Sequence, residues 1–513
     1  MWMRMLAVLL AGVALCSAAA AELQNVEVGG EIRIRGRYWN NVNSAVPAPR
    51  FSDGALKARA LGPFGAIGRF AWDDKDSGLG FIEQRTALHV NASFTENVSA
   101  FIDFHYNHRW GADFRANLVT GQDTTPAVGR HVRMYQGYIE VNELFDTPVR
   151  VRIGRQEMKF GKGFLMGNGL SPTIGVSFDA LRLTYAESDF TVDAFFAKLV
   201  EDGGVELDGD VDLYGVYADY AGWEPLSLSA YWLWVRDARS QNDTTGTPAA
   251  EWLESWLGLD DYDVSNLHTV GMRAYGGKGG WDYDLEAAYQ FGPVDNVGAG
   301  FRANIYGDDG ARASTWALDA ETGYTADIKF QPRFFAGGAW YNGEDNRDAQ
   351  WKHALNPNAK GDASVSFNRL FSSIWYNTIF DVLGQPFSNL MEVRAGVQMK
   401  WSDAVSSTLK AGYYWADAPF NGPRTASLLG QRVAFGGLLV PPQQSSRDLG
   451  LITTVSMKYQ YSEDLFITIG WEHLFTGAGM RDGNYVFKNG LEFGGGVDQD
   501  DADYLWVDTG LKF

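Results

Sequence analysis

Apolar and polar positions alternate with a period of two through most of this chain. In WDYDLEAAYQF, the residues Trp281, Tyr283, Leu285, Ala287, Tyr289 and Phe291 share one face of an extended segment, and Asp282, Asp284, Glu286, Ala288 and Gln290 share the other. LMEVRAGVQMKW sets Met391, Val393, Ala395, Val397, Met399 and Trp401 against Glu392, Arg394, Gly396, Gln398 and Lys400. LGLITTVSMKYQY, LFITIGWEH and the closing YLWVDTGLKF behave alike. This period marks a strand with two unlike faces. The apolar faces begin or end on Trp, Tyr or Phe, where an interfacial girdle places amphipathic rings.

The pattern predicts strands over 26–38, 84–94, 98–109, 132–142, 148–157, 177–185, 189–198, 211–220 and 225–236. It continues over 267–276, 281–291, 314–325, 332–342, 390–401, 405–416, 449–461, 464–475 and 503–513. That makes about 18 strands, and bacterial barrels favour even numbers. Connection lengths alternate as well. FTENVSAF, YAESDFTV, WSDAVSST and YSEDLFIT read as tight turns rich in Asp, Glu, Asn and Ser, suited to the periplasmic side. The connections 39–83, 110–131, 158–176, 237–266, 343–389 and 417–448 are long and suit an outer face or an inward-folded constriction. AEWLESWLGL, near 250–259, has the pattern of a short helix.

A water-soluble sandwich would also alternate. Two features separate it from a transmembrane barrel. The polar faces carry charges at mid-strand, and the spans are about ten residues, the length a tilted strand needs to cross a bilayer. The predicted fold is all-β, a transmembrane antiparallel up-and-down β-barrel. Phe513 and its alternating partners Leu511, Thr509, Val507 and Leu505 match a closing strand that lies against the first strand and faces lipid.

Composition supports this picture. The 513 residues carry 59 Gly, 14% aromatics and a net charge of -20, which argues against nucleic acid as a partner. Residues 1–21 read as a secretory signal peptide: Arg4, an apolar run from Leu6 to Leu15, then Ala19-Ala20-Ala21. Residues 22–513 are then the barrel. Cys16 is preceded by Leu15 where a lipoprotein signal wants a small residue, and it leaves with the signal. The mature chain then has no cysteine for disulfides, haem attachment or thiolate metal sites. No run of about 18 apolar residues provides a transmembrane helix.

Several stretches resemble the alginate-export family of outer-membrane proteins. They are VRVRIGRQEMKFGKGFLMGN with SFDALRLTY, YNGEDN with the later FNRLF, and RDLGLITTVSMKYQYSEDLFITIGWEHLFTGAGM. The resemblance implies a single monomeric barrel of about 18 strands that passes a solute through its lumen. In the founding members the pore is strongly basic and passes an acidic polysaccharide.

Strand parity suggests what lines the lumen. Arg33, Arg35, Arg37, Arg150 and Arg152 alternate with Val or Ile, and Arg85 and Arg182 join them, with His89 and His105 as weaker members. An Arg on the lipid face costs about 2–4 kcal/mol at mid-membrane, so inward is the cheaper direction. Asp282, Asp284, Glu286, Asp319 and Glu321 fall inward on strands across the ring. The expectation is a transverse field, basic on one wall and acidic on the other, as suits orienting polar solutes. The alternative is a set of lumen salt bridges that stiffen or close the wall.

Catalytic and metal chemistry find little support. His105 and His108 are three apart, hence on opposite strand faces, and neither G-x-S-x-G nor H-E-x-x-H occurs. Asp208, Asp210, Asp212 and Asp219 have calcium-loop-like offsets, but Leu213 stands where the turn needs Gly, so solvated loops are expected here and in DQDDAD at 498–503. No enzyme activity, cofactor or metal is expected.

The reading is an outer-membrane pore of a Gram-negative-type bacterium for passive diffusion of polar, chiefly anionic, solutes. Its alternatives are a secretion conduit for an acidic exopolysaccharide such as alginate, working with periplasmic export partners, and a closed structural protein. Expected partners are outer-membrane lipid, lipopolysaccharide, and the barrel-assembly machinery through the strand ending in Phe513.

Overall fold

A computed structural model describes residues 23–40, 78–111, 132–169, 175–201, 210–238, 264–294, 311–343, 366–379, 388–418, 446–481 and 501–513, with short strand pieces between them. The signal peptide and the segment 250–259 lie outside the described residues.

The wall strands, in chain order, are β1 Asn25–Asn40, β2 Leu79–Ser93, β3 Val98–Arg109, β4 Arg133–Val141, β5 Val149–Gln156 and β6 Phe178–Glu187. They continue as β7 Phe190–Val200, β8 Val211–Trp223, β9 Leu226–Asp237, β10 Ser265–Lys278, β11 Trp281–Pro293 and β12 Ala311–Thr325. The last are β13 Arg333–Tyr341, β14 Leu390–Lys400, β15 Val405–Trp415, β16 Asp448–Gln460, β17 Leu465–Thr476 and β18 Ala502–Lys512. Each predicted strand overlaps one of these. The largest boundary difference is β2, which starts at Leu79 because its lower-numbered half pairs with the end of β1, Trp39 opposite Leu79. A further piece, Ala363–Ser364, pairs parallel with the start of β12. Among the connections, Ile67–Phe70, Arg424–Leu428 and Gln431–Phe435 form a small separate sheet.

Every wall strand pairs antiparallel with its sequence neighbours, and β18 returns to β1, from Glu31 opposite Lys512 to Asn40 opposite Asp503. The closure reaches the last residue. Gly30 N–H donates to the Phe513 carbonyl at 2.8 Å, and Phe513 N–H donates back to the Gly30 carbonyl at 3.1 Å. A Cβ on Gly30 would lie 2.7 Å from the Phe513 ring, so this join requires glycine. Closure satisfies the backbone without a free edge, the condition for spanning a bilayer with strands.

Turns at 94–97, 142–148, 188–189, 224–225, 279–280, 326–332, 401–404 and 461–464 join strands at the end that carries both termini. All the long connections leave from the opposite end. Away from the long-connection rim the side chains turned outward are mainly apolar and exposed: Val28, Ile139, Ile153, Met272, Val393 and Leu505 are examples.

The hydrophobic core lies inside the barrel, toward the long-connection end. Segments 157–169 and 366–379 fold into the lumen there, and Met166 and Phe371 pair with each other. Phe371 N–H donates to Leu165 O, Gly167 N–H to Phe371 O and Ser373 N–H to Gly163 O, so the two segments form one unit. Phe164, Met158, Phe367 and Ile379 are fully buried in this unit. The wall makes room with small inward residues, Ala180, Ala197, Ala288, Ala317, Ala339 and Ala502, and closes around it with Trp39, Leu213, Leu233, Ile452 and Leu474.

Candidate pore constriction and charged lumen

Toward the short turns, the inner wall is charged. On β1, Arg33, Arg35 and Arg37 alternate with outward Ile32, Ile34 and Tyr38, and their partners come from the flanking strands. Arg33 donates from Nε and Nη2 to Asp508 at 2.9 and 2.5 Å. Arg35 lies 3.2 Å from Asp508 and 3.7 Å from Glu83. Arg37 is 3.5 Å from Glu83, donates to the Tyr504 hydroxyl at 3.1 Å, and lies over the Trp39 ring at 4.4 Å. Arg85 donates to Glu31 at 2.7 Å. Further round, Arg152 donates to Glu140 at 2.7 Å and covers the Tyr138 ring, with Arg150 at 3.9 Å from the same carboxylate. Arg182 donates to Asp193 at 2.7 Å.

The acidic residues are paired in the same way. Asp282 accepts two bonds from Arg333, at 2.9 and 2.5 Å. Asp284 accepts from Arg273 at 2.5 Å and lies 3.0 Å from Lys162 Nζ. Glu286 is 3.9 Å from Arg273. Glu321 accepts from Arg333 at 3.0 Å and Arg394 at 3.1 Å. Asp319 is a junction: it accepts from Lys162 Nζ and from the Tyr376 hydroxyl, each at 2.7 Å, and lies 3.4 Å from Arg394.

Asp319 therefore ties both inserted segments to the wall, Lys162 from one and Tyr376 from the other. Other polar bonds do the same at different heights. Thr378 N–H and Ile379 N–H donate to Glu472 at 2.7 and 3.2 Å. Lys410 Nζ donates to the Tyr376 carbonyl at 2.6 Å, and Gln290 exchanges two bonds with the backbone of Asn368. The unit is thus mainly apolar inside, with Arg369 buried in it and donating to the Ile374 carbonyl at 2.7 Å, and polar where it meets the charged half, which makes it a candidate constriction.

The basic and acidic sets do stand on different strands, but neither wall is of one sign. At separations of 2.5–3.9 Å each pair is a local dipole whose field falls off faster than that of an isolated charge. Parity finds Glu31, Glu83, Asp508, Arg273, Arg333 and Arg394 as readily as the residues it singled out; the partners become visible only once strand register is known. Lys162 and Tyr376 have no periodic signal, because they belong to the inserted segments. His105 sits against Asp103 at 3.0 Å and stacks on Tyr135, whereas His108 packs at a tilt beside Tyr106 on the other face. Among the described residues, no group of three metal-ligating side chains occurs.

A closed antiparallel ring of strands, apolar outside and charged within, is a transmembrane β-barrel. The alginate-export family matches residues 74–489, and the chain belongs to that family. No curated protein matches it. Among solved structures, Pseudomonas aeruginosa OpdL is similar at 10% identity and a TM-score of 0.49, covering 95% of this chain and 99% of that one. P. aeruginosa OpdK with vanillate gives 9%, a TM-score of 0.46, and coverage of 95% and 98%. P. aeruginosa OccK8 (OprE) gives 13%, 0.46, and coverage of 95% and 98%. The strand pairing above establishes the barrel.

Proposed function

We propose that the barrel lies in the outer membrane of a Gram-negative bacterium and acts as a passive pore for polar solutes, without catalysis. The observation that carries this reading is the charged inner wall enclosed by a lipid-facing apolar one. A charged inner wall is the surface that water and polar solutes wet. Outer-membrane lipid and lipopolysaccharide would surround the apolar face, and β18 would be the segment the assembly machinery meets.

Arg33, Arg35, Arg37, Arg150 and Arg152 support a preference for anions, in a modest form. Each already faces a carboxylate, so an anionic solute competes with a built-in partner rather than meeting a bare cation. The same pairing weighs against a conduit for an acidic exopolysaccharide, which would need unpaired cations along its path. A second reading, a closed structural barrel, is favoured by the fully buried packing of Phe164, Met158 and Phe367 across the lumen.

Single-channel recording in a planar bilayer tests the choice. Discrete conductance steps support the pore, and silence at all voltages supports the closed barrel. The reversal potential in a salt gradient reads selectivity. Replacing Arg33, Arg35 and Arg37 together by Ser should move it toward cations; an unmoved potential would remove these residues from the conduction path.

A further inference from the structure

A separate cavity of about 270 Å³ opens on the inner wall near the short turns, away from the constriction. Strand register assembles it. Glu27 on β1 lies opposite Asn91 on β2, Asn91 opposite Phe101 on β3, and Phe101 opposite Tyr138 on β4, with Ser99 opposite Glu140 one step closer to the turns. His89, two residues above Asn91, completes the lining. The rings form a continuous row: His89 to Phe101 at 5.6 Å between centroids, and Phe101 to Tyr138 at 5.3 Å. Gly29 makes this possible, since a Cβ there would lie 2.6 Å from His89 Nε2.

The lining holds carboxylates, an amide, a hydroxyl, an imidazole and aromatic rings; the cations at its edge, Arg152 and Arg150, face Glu140. Glu140 is neutralised by Arg152 at 2.5 Å, so Glu27 carries the free acceptor charge at the mouth. Glu27 accepts from Asn25 at 3.3 Å, which leaves lone pairs for a ligand.

We infer that this cavity binds a neutral polyhydroxylated solute such as a sugar. A sugar presents hydroxyl donors, oxygen acceptors and apolar C–H patches together. Glu27 accepts from hydroxyls, Asn91 and Ser99 both donate and accept, and the C–H patch lies along the edges of the ring row, whose faces are taken by one another and, at Tyr138, by Arg152. A carboxylated sugar would meet the Glu27 charge and be disfavoured, in contrast with the arginine rows further along β1. The inference rests on the pore reading for how a solute reaches the site, but binding can be measured without conduction.

The test is saturation-transfer NMR or calorimetry on the full-length protein in detergent, with maltose as probe and glucuronate and spermidine as comparisons. Maltose should bind in the millimolar range and glucuronate more weakly. Glu27→Gln and Asn91→Ala should each weaken maltose by about fivefold, the size expected for one lost hydrogen bond. Retention of the heat-modifiable folded form on gels shows that each variant is intact, and Ser99→Ala serves if Asn91→Ala misfolds. Absence of maltose binding, or binding unchanged in the variants, overturns the assignment, as does spermidine binding in its place. Maltose binding in a barrel that shows no conductance supports the site while ending the pore reading.

Discussion

Near the short turns the lumen is lined by paired charges; near the long connections it is filled by apolar side chains. Both regions are built from the same strands, whose outward face is apolar through the middle and turns polar at the long-connection rim, where Arg155 meets Asp179 and His473 meets Asp503. β1 shows the contrast in one strand: inward Arg33, Arg35 and Arg37 give way to inward Trp39, fully buried. β12 repeats it in reverse, from inward Ala313 and Ala317 to inward Asp319 and Glu321. The outward face stays apolar at mid-strand, as a transmembrane barrel requires of the face it turns to lipid. The inward face changes because it meets water at one end and the two inserted segments at the other. A strand's binary pattern therefore records what each of its faces meets along its length.

The comparison can be broken at the junction between the regions. Asp319→Ala leaves Lys162, Arg394 and Tyr376 without their shared acceptor in a buried setting. The expected loss is about 3–5 kcal/mol, the usual cost of removing one member of a buried ion pair. Urea unfolding in detergent measures it, and protease access to segments 157–169 and 366–379 should rise. Phe164→Ala attacks the apolar region instead. It should cost about 3–5 kcal/mol by leaving a cavity, and should raise single-channel conductance while leaving ion selectivity unchanged. If selectivity moved with Phe164, the division of labour between the two regions would be wrong.

The outward face is sharpened by Met272→Arg, at an exposed mid-strand position on β10. A cost of about 2–4 kcal/mol is expected if lipid covers it, again by urea unfolding, and almost none if water does. The smallest effect should come from Arg155→Ala. Its 2.7 Å pair with Asp179 is about half exposed on both sides, 45% and 55%. Such pairs contribute about 0–1 kcal/mol, and any loss should vanish in high salt.

Much of the wall was legible because the signal is local. WDYDLEAAYQF specifies β11 by itself, and WSDAVSST places the turn between β14 and β15 within a few residues. Parity was equally local, and it grouped Arg33 with Arg35 and Arg37, and Asp284 with Asp282 and Glu286, on one face of each strand. The counter-ions carried the same parity but no local mark of partnership. Arg33 and Asp508 are neighbours only because the chain closes on itself across the ring. FGKGFLMGN gave even less: its aromatic and glycine residues have no period, so nothing announces that Phe164 is buried or that Lys162 reaches Asp319.

The sequence by itself determined the strand count, the turn positions and the face turned to lipid, since each follows from side-chain alternation within ten residues of chain. Tertiary structure alone decided which charges neutralise one another and which end of the lumen is filled. Those depend on register between strands and on segments folding back from far along the chain, and the free energy of a charge or a greasy ring inside a barrel is set by what stands across from it.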